Sequence, residues 1–146
     1  MKVMLYRVGR NLNRAYRTCE AFGVDELELL ECDAKIVGNL FRAKDRVMVS
    51  VVESFPLPNG LLALETSYLT LLSMVDWTRV DTILLGGESY GLPCIRAEQK
   101  AHIETVGLIS GLTVEATLAI ALYQWSLFNR FVAEFPEARS NTKLAF

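Results

Sequence analysis

The amino-acid sequence predicts an α/β domain in which a mostly parallel sheet is flanked by helices. Three observations lead there. Short apolar runs alternate with longer helical patterns along the chain, the helical stretches carry start and stop residues, and one buried apolar run ends directly on a glycine-rich turn. Val3 to Tyr6 is the first predicted strand and Leu27 to Glu31 the second. The helix between them spans about ten residues, with Asn11 and Asn13 each suited to cap its start and Gly23 placed to close it in a left-handed conformation. Its apolar side is Ala15, Cys19 and Phe22.

The polar stretch Asp33 to Arg46 is helix-compatible, and the β-branched run Val47 to Val52 is open between a strand and the end of that helix. Ser54 to Gly60 holds two prolines and an Asn-Gly step and reads as a turn, after which Leu61 to Leu64 forms a strand. Thr66 to Trp77 is a mixed loop and helix. Ile83 to Leu85 is a buried strand that runs into Gly86-Gly87, and Ile103 opens a further short apolar strand. From Leu112 to about Phe131 the apolar residues go nearly all round a helix, which predicts burial on more than one side. Small Ala116, Ala119 and Ala121 on it suit either a subunit interface or a large monomer core.

With 146 residues the chain is expected to be one domain, 1–146, with no repeats, linker or low-complexity tract. An apolar fraction of 51% against 22% charged residues excludes global disorder. The net charge of −2 gives no overall positive field, so nucleic-acid contact requires a local patch. Three scattered cysteines, Cys19, Cys32 and Cys94, and the single His102 argue against a disulfide framework and a metal site. The apolar stretch after Lys2 is broken by Arg7 well short of a signal-peptide core, so a cytoplasmic location is expected. Val106 to Leu122 is too short for a membrane span and carries Glu115, whose charge at mid-bilayer would cost about 2.5–3.5 kcal/mol.

Two features could carry chemistry. Arg7, Arg10, Arg14 and Arg17 crowd the start of the first helix, the last three at spacings that share one face. They read as a phosphate-holding face or as a solvated basic face. The turn Gly86-Gly87-Glu88-Ser89-Tyr90-Gly91-Leu92-Pro93 leaves its backbone free to approach a ligand at the carboxyl edge of the sheet, but has no lysine for a nucleotide-phosphate loop. His102 has no carboxylate or cysteine at triad or metal spacing and reads as structural or surface.

Three segments in order resemble the SpoU/TrmH branch of the SPOUT superfamily of RNA 2′-O-ribose methyltransferases. The first is Asn11 to Val24, with Arg17 six residues after Asn11 and a small-residue helix ending in Phe22-Gly23. The second is Ile83 to Pro93, which keeps the Gly-x-Glu-x-x-Gly-Leu pattern. The third is Ile103-Glu104-Thr105 followed by Gly111-Leu112-Thr113, which keeps the spacing but not the residues. Glu104 stands for the family Pro, Gly111 for Ser, Thr113 for Asn, Glu115 for a second small polar residue, and Asn13 for the first-motif Gly.

The resemblance implies the α/β knot, a deep trefoil crossing in which the last helix threads a loop, an exception to unknotted topology. It implies an S-adenosylmethionine site formed by Leu64, Glu65 and Thr66, by Leu85, Gly86, Gly87 and Glu88, and by Ile103, Thr105, Val106, Gly111 and Leu112. It further implies catalysis by Arg17, Asn11 and Glu88, RNA (tRNA or rRNA) held by Arg7, Arg10, Arg14 and Arg17, an active site shared across a homodimer, and a length like that of minimal members without a separate RNA-binding domain; the residues themselves give no expectation of a metal or a membrane partner. The altered third motif sets an alternative beside the enzyme: a knotted homologue that has lost methyl transfer and acts as an RNA-binding or dimerising module.

Overall fold

The computed structural model describes residues 1–33, 35–38, 46–87, 90–105 and 112–134. Along the chain lie β1 (Lys2–Tyr6), α1 (Leu12–Ala21), β2 (Glu26–Leu30), β3 (Met48–Val52), β4 (Leu61–Leu64), β5 (Thr82–Gly86), β6 (Gln99–Ala101) and α2 (Val114–Glu134). Two short 3₁₀ turns, Leu72–Met74 and Trp77–Arg79, separate β4 from β5. The strands form one six-stranded sheet in the order β3-β2-β1-β5-β4-β6, and every pairing is parallel.

Side chains of successive strand residues point to opposite faces, and both faces are apolar. Val3, Leu5, Leu27, Leu29, Leu62, Leu64, Ile83 and Leu85 share one core with Leu12, Ala15, Tyr16 and Cys19 of α1 and Leu118, Ala121 and Leu122 of α2. Met4, Tyr6, Leu30, Leu61 and Leu84 form the second core. No helix among the described residues covers it; Phe55, Leu92, Ile95 and Ala97 from irregular segments pack there instead. The expected mostly parallel sheet flanked by helices is met, and the irregular segments over the second core carry no periodic signal in the sequence.

α1 ends as its sequence indicates. Gly23 adopts φ 68°, its N–H donates to the Glu20 carbonyl at 3.2 Å and the Val24 N–H to the Cys19 carbonyl at 2.9 Å, a Schellman closure. The start differs. Asn11 occupies the cap position but its side chain makes no capping hydrogen bond. Met48–Val52 is a strand, which settles the open segment.

The strand expected to open at Ile103 instead occupies Gln99–Ala101. Only Ala101 of the three is buried, and a polar edge strand of three residues lies below what an apolar pattern detects. Within the single chain, α2 buries Val114, Leu118, Ala121, Leu122 and Phe128 but leaves Ile120 and Tyr123 exposed. The expected burial on more than one side is therefore not met by one copy. No helix among the described residues is long and apolar enough to cross a membrane.

Leu122 is fully buried where α2 meets the core shared with α1. Leu122→Ala is expected to lower stability by about 2–5 kcal/mol in urea denaturation, while Leu57→Ala, at an 83% exposed position, changes it by no more than about 0.5 kcal/mol.

Candidate functional site

Because all six strands are parallel, their carboxyl ends lie along one edge of the sheet. The chain leaving β1 runs to β2 on one side, while the chain leaving β5 runs to β6 on the other. Diverging connections of this kind open a crevice above the strand ends, where α/β proteins bind ligands. Backbone contacts fix its wall. The Gly87 N–H donates to the Tyr6 carbonyl at 2.7 Å and the Gly91 N–H to the Gly87 carbonyl at 2.8 Å. A Cβ at Gly87 would sit 2.2 Å from the Arg7 carbonyl oxygen, and one at Gly86 2.1 Å from that of Gly91. The glycines are required because backbone packs on backbone here.

A cleft of about 550 Å³ opens at this edge, within the range of small-molecule sites. Of the residues expected to hold a ligand, Leu64, Glu65, Thr66, Leu85, Gly86, Gly87, Ile103, Thr105 and Leu112 line it. Glu88, Val106 and Gly111 lie outside the described residues. Tyr90 and Gly91, from the turn read as free to approach a ligand, also line the cleft, as do His102, Thr113, Val114 and Thr117, which were not assigned to ligand binding from sequence. Thr113 and Thr117 are spaced four apart across the start of α2, a helical repeat that would have pointed to them.

Glu65, His102 and Tyr90 supply the ionisable side chains of the described lining. Glu65 closes over Gly91, where a Cβ would meet its Oε1 at 2.7 Å. His102 is held by its backbone, whose N–H donates to the Thr70 carbonyl at 2.8 Å and whose carbonyl accepts from Leu72 at 2.7 Å. Its Nδ1 is buried and has no hydrogen-bond partner. The histidine read as structural or surface therefore stands in the cleft wall, brought there by a bridge between positions 71 and 102 that sequence does not reveal.

Next to it, Glu104 accepts hydrogen bonds from the Ser73 hydroxyl and, at 3.3 Å, the Ser73 N–H. Burial alone would raise the Glu104 carboxyl, but these donors, with His102 beside them, hold it below the ordinary 4.5. Burial pushes the Cys19 thiol up to about 12, so it is no nucleophile at neutral pH. Among the described residues no cluster of three His, Cys, Asp or Glu side chains is arranged to hold a metal ion.

The four arginines do not form one free patch. Arg7 pairs with Glu31 at 3.5 Å and its guanidinium lies 5.2 Å from the ring centres of both Tyr6 and Tyr90. Arg14 donates to Glu115 at 3.1 Å, joining α1 to α2. Arg10 and Arg17 are exposed and make no ion pair among the described residues. Neither Asn11 nor Arg17 lines the cleft of the single chain.

Comparison with solved structures bears directly on this architecture. An AdoMet-bound rRNA methyltransferase from Sinorhizobium meliloti superposes with a TM-score of 0.72 at 21% identity, over 87% of this chain and 56% of that one. The SpoU methyltransferase AviRb from Streptomyces viridochromogenes, in complex with AdoMet, gives 0.75 at 18% identity, over 89% and 58%. A TrmH/SpoU tRNA modifying enzyme from A. aeolicus gives 0.68 at 21% identity, over 98% and 80%. The fold is that of the SpoU/TrmH methyltransferases. The chain spans a little more than half the length of the first two. No family model matches the sequence, and no curated protein matches it.

Two residues at the start of α2 have clear local roles. The Thr113 hydroxyl accepts the Ala116 N–H at 3.2 Å and so caps α2, a task that Thr and Asn both perform well. Glu115 sits in the first turn of α2, where the helix dipole favours an anion, and has Arg14 as its partner.

Two outcomes are expected. Gly87→Ala forces the 86–91 turn away from β1 and is expected to cost about 1–3 kcal/mol in denaturant unfolding, by the steric route of overpacking. The Glu104 carboxyl is depressed in the folded state, so its contribution is present above pH 4.5 and is lost as pH falls through the lower folded value. The stability difference between wild type and Ser73→Ala is expected to be constant near neutrality and to shrink on acidification, as read from urea midpoints at a series of pH values.

Proposed function

We propose that this chain is an S-adenosylmethionine-dependent RNA 2′-O-ribose methyltransferase acting on tRNA or rRNA. The observation that carries the proposal is the convergence of the three motif loops on one cleft of about 550 Å³ in a SpoU/TrmH fold. The residues present fit the cofactor. Leu64, Leu85, Ile103 and Leu112 offer apolar walls, the Gly86-Gly87 backbone offers close polar approach, and Glu65 offers a carboxylate suited to a cationic sulfonium compound. The buried, unpartnered Nδ1 of His102 is a further polar atom that a ligand in the cleft would satisfy.

S-Adenosylmethionine supplies an electrophilic methyl group. The work left to the protein is to align a ribose 2′-hydroxyl with that group and to ease loss of the hydroxyl proton. Arg17 is assigned the electrostatic part. A guanidinium stays protonated, so it holds phosphate and stabilises the developing alkoxide and does not act as base. Asn11 orients the ribose or Arg17, and Glu88 fixes Arg17 or the loop. Arg10 holds RNA phosphate with Arg17; Arg14 and Arg7 belong to the same basic region.

Because Asn11 and Arg17 lie off the cleft lining in one chain, the proposal includes a homodimer in which a second copy supplies them. Exposed Ile120 and Tyr123 on α2, beside the buried and unpartnered Oε1 of Gln124, support that helix as the dimer face. The trefoil knot belongs to the same proposal, as does a single domain working without a separate RNA-binding module.

Calorimetric titration tests the first step. S-Adenosylmethionine at about 100 times its dissociation constant is expected to raise stability by about 2.7 kcal/mol, and absence of both heat and stabilisation rejects the enzyme. With binding in hand, transfer of a tritiated methyl group to bulk RNA is expected to vanish in Arg17→Ala while cofactor affinity stays within a few-fold. Binding without transfer in wild type favours the alternative, a knotted RNA-binding or dimerising module.

A further inference from the structure

Two non-glycine residues among those described have a left-handed backbone, Arg7 at φ 52° and Glu31 at φ 53°. They end adjacent parallel strands and form an ion pair with each other at 3.5 Å. Left-handed backbone is costly for such residues and persists only where the surroundings impose it. Here the surroundings are the end of β2 on one side and Gly87 on the other. The Arg7 N–H donates to the Leu30 carbonyl at 3.0 Å, and the Arg7 carbonyl fills the space that a Gly87 side chain would need.

The consequence is a column of aromatic and cationic groups running outward from the core, its innermost ring pair tilted by 53°. Phe55 packs on Tyr6 with ring centres 5.1 Å apart, the Arg7 guanidinium lies 5.2 Å from the Tyr6 ring centre, and it lies 5.2 Å from the Tyr90 ring centre as well. Tyr6 is 8% exposed and Tyr90 is 65% exposed. The column is therefore anchored in the second core and ends at the mouth of the cleft, in an aromatic ring with one face braced by a cation and the other open. Tyr90 is at the same time part of the cleft wall.

We propose that Tyr90 is the platform on which a nucleobase of the RNA strand stacks at the mouth of the cleft, with Arg7 as the positioning residue that holds the ring. The inference rests on the methyltransferase reading for the identity of the strand and deepens it by naming what orients the nucleotide. A nucleobase fits better than a phosphate. The Arg7 charge is already shared between two rings and the Glu31 carboxylate, whereas the open aromatic face accepts any base. Exposed Arg10, three residues on, keeps positive charge near the strand's backbone. The reading changes the part given to Arg7, from contacting phosphate to bracing an aromatic ring.

The test uses short single-stranded oligoadenylate, the same oligomer with one 2-aminopurine, and an abasic ribose-phosphate oligomer of equal length, at low salt. Tyr90→Ala is expected to weaken oligoadenylate binding about ten-fold and to abolish quenching of the 2-aminopurine, while abasic oligomer binding stays within about two-fold. Tyr90→Phe keeps both the affinity and the quenching. Arg7→Ala is expected to reduce the quenching, and Arg7→Lys to restore part of it.

Equal losses on oligoadenylate and abasic oligomer overturn the proposal, since the ring would then be acting on the backbone or on folding. Wild-type protein that binds S-adenosylmethionine but no oligomer also overturns it, as does a Tyr90→Ala loss confined to S-adenosylmethionine affinity. Base-dependent binding lost in Tyr90→Ala, with no S-adenosylmethionine binding in any variant, keeps the platform and rejects the enzyme.

Discussion

The contact between the end of β1 and the glycine turn after β5 holds the site together. Strands β1 and β5 lie side by side, and past their last paired residues, Tyr6 and Gly86, the chain must either separate or continue in contact. It continues in contact. The Gly87 N–H reaches the Tyr6 carbonyl, and the turn folds back until the Gly91 N–H reaches Gly87. The spacing leaves no volume for a side chain at Gly86 or Gly87. From that approach come both the backbone wall of the cleft and the left-handed conformation of Arg7 that sends its guanidinium between two tyrosines. A turn displaced outward would lose both features together.

The polar groups Glu104, Thr113 and Glu115 are each paired within the chain. Glu115 takes Arg14 as partner and ties the first helix to the last, so one member of the basic cluster is engaged in packing the two helices. Glu104 takes the Ser73 donors and ties the segment after β6 to the 3₁₀ turn that follows β4. Thr113 retains the capping task at the start of α2. These pairings fix the segments beside the cleft.

Much of this was legible in the residues. The strand ending on Gly86-Gly87 announced itself because a wholly apolar run with glycines behind it has few other uses, and Gly23 announced the end of α1 for a steric reason that holds in any context. The glycine turn after β5 was readable from its residues as an edge open to a ligand, whereas the place of Leu64, Glu65 and Thr66 in the cleft wall was indicated only by the family resemblance, since nothing in their composition distinguishes them from other strand ends. What stayed hidden was long-range. The Arg14–Glu115 pair joins positions 101 apart, and the bridge that sets His102 in the cleft wall depends on which strand lies at the edge. β6 went unseen because Gln99 and Lys100 are polar at a sheet edge, and the second core because irregular segments cover it.

The central claim is that the turns following β4, β5 and β6, with the start of α2, make one cofactor site. Backbone amide spectra recorded during titration with S-adenosylmethionine address it most directly. The expected result is saturable shifts clustered at positions 64–66, 85–87, 102–105 and 112–117, with the far ends of the strands unmoved. Shifts absent at saturating concentration, or gathered at the amino-terminal edge of the sheet while those turns stay silent, would contradict it.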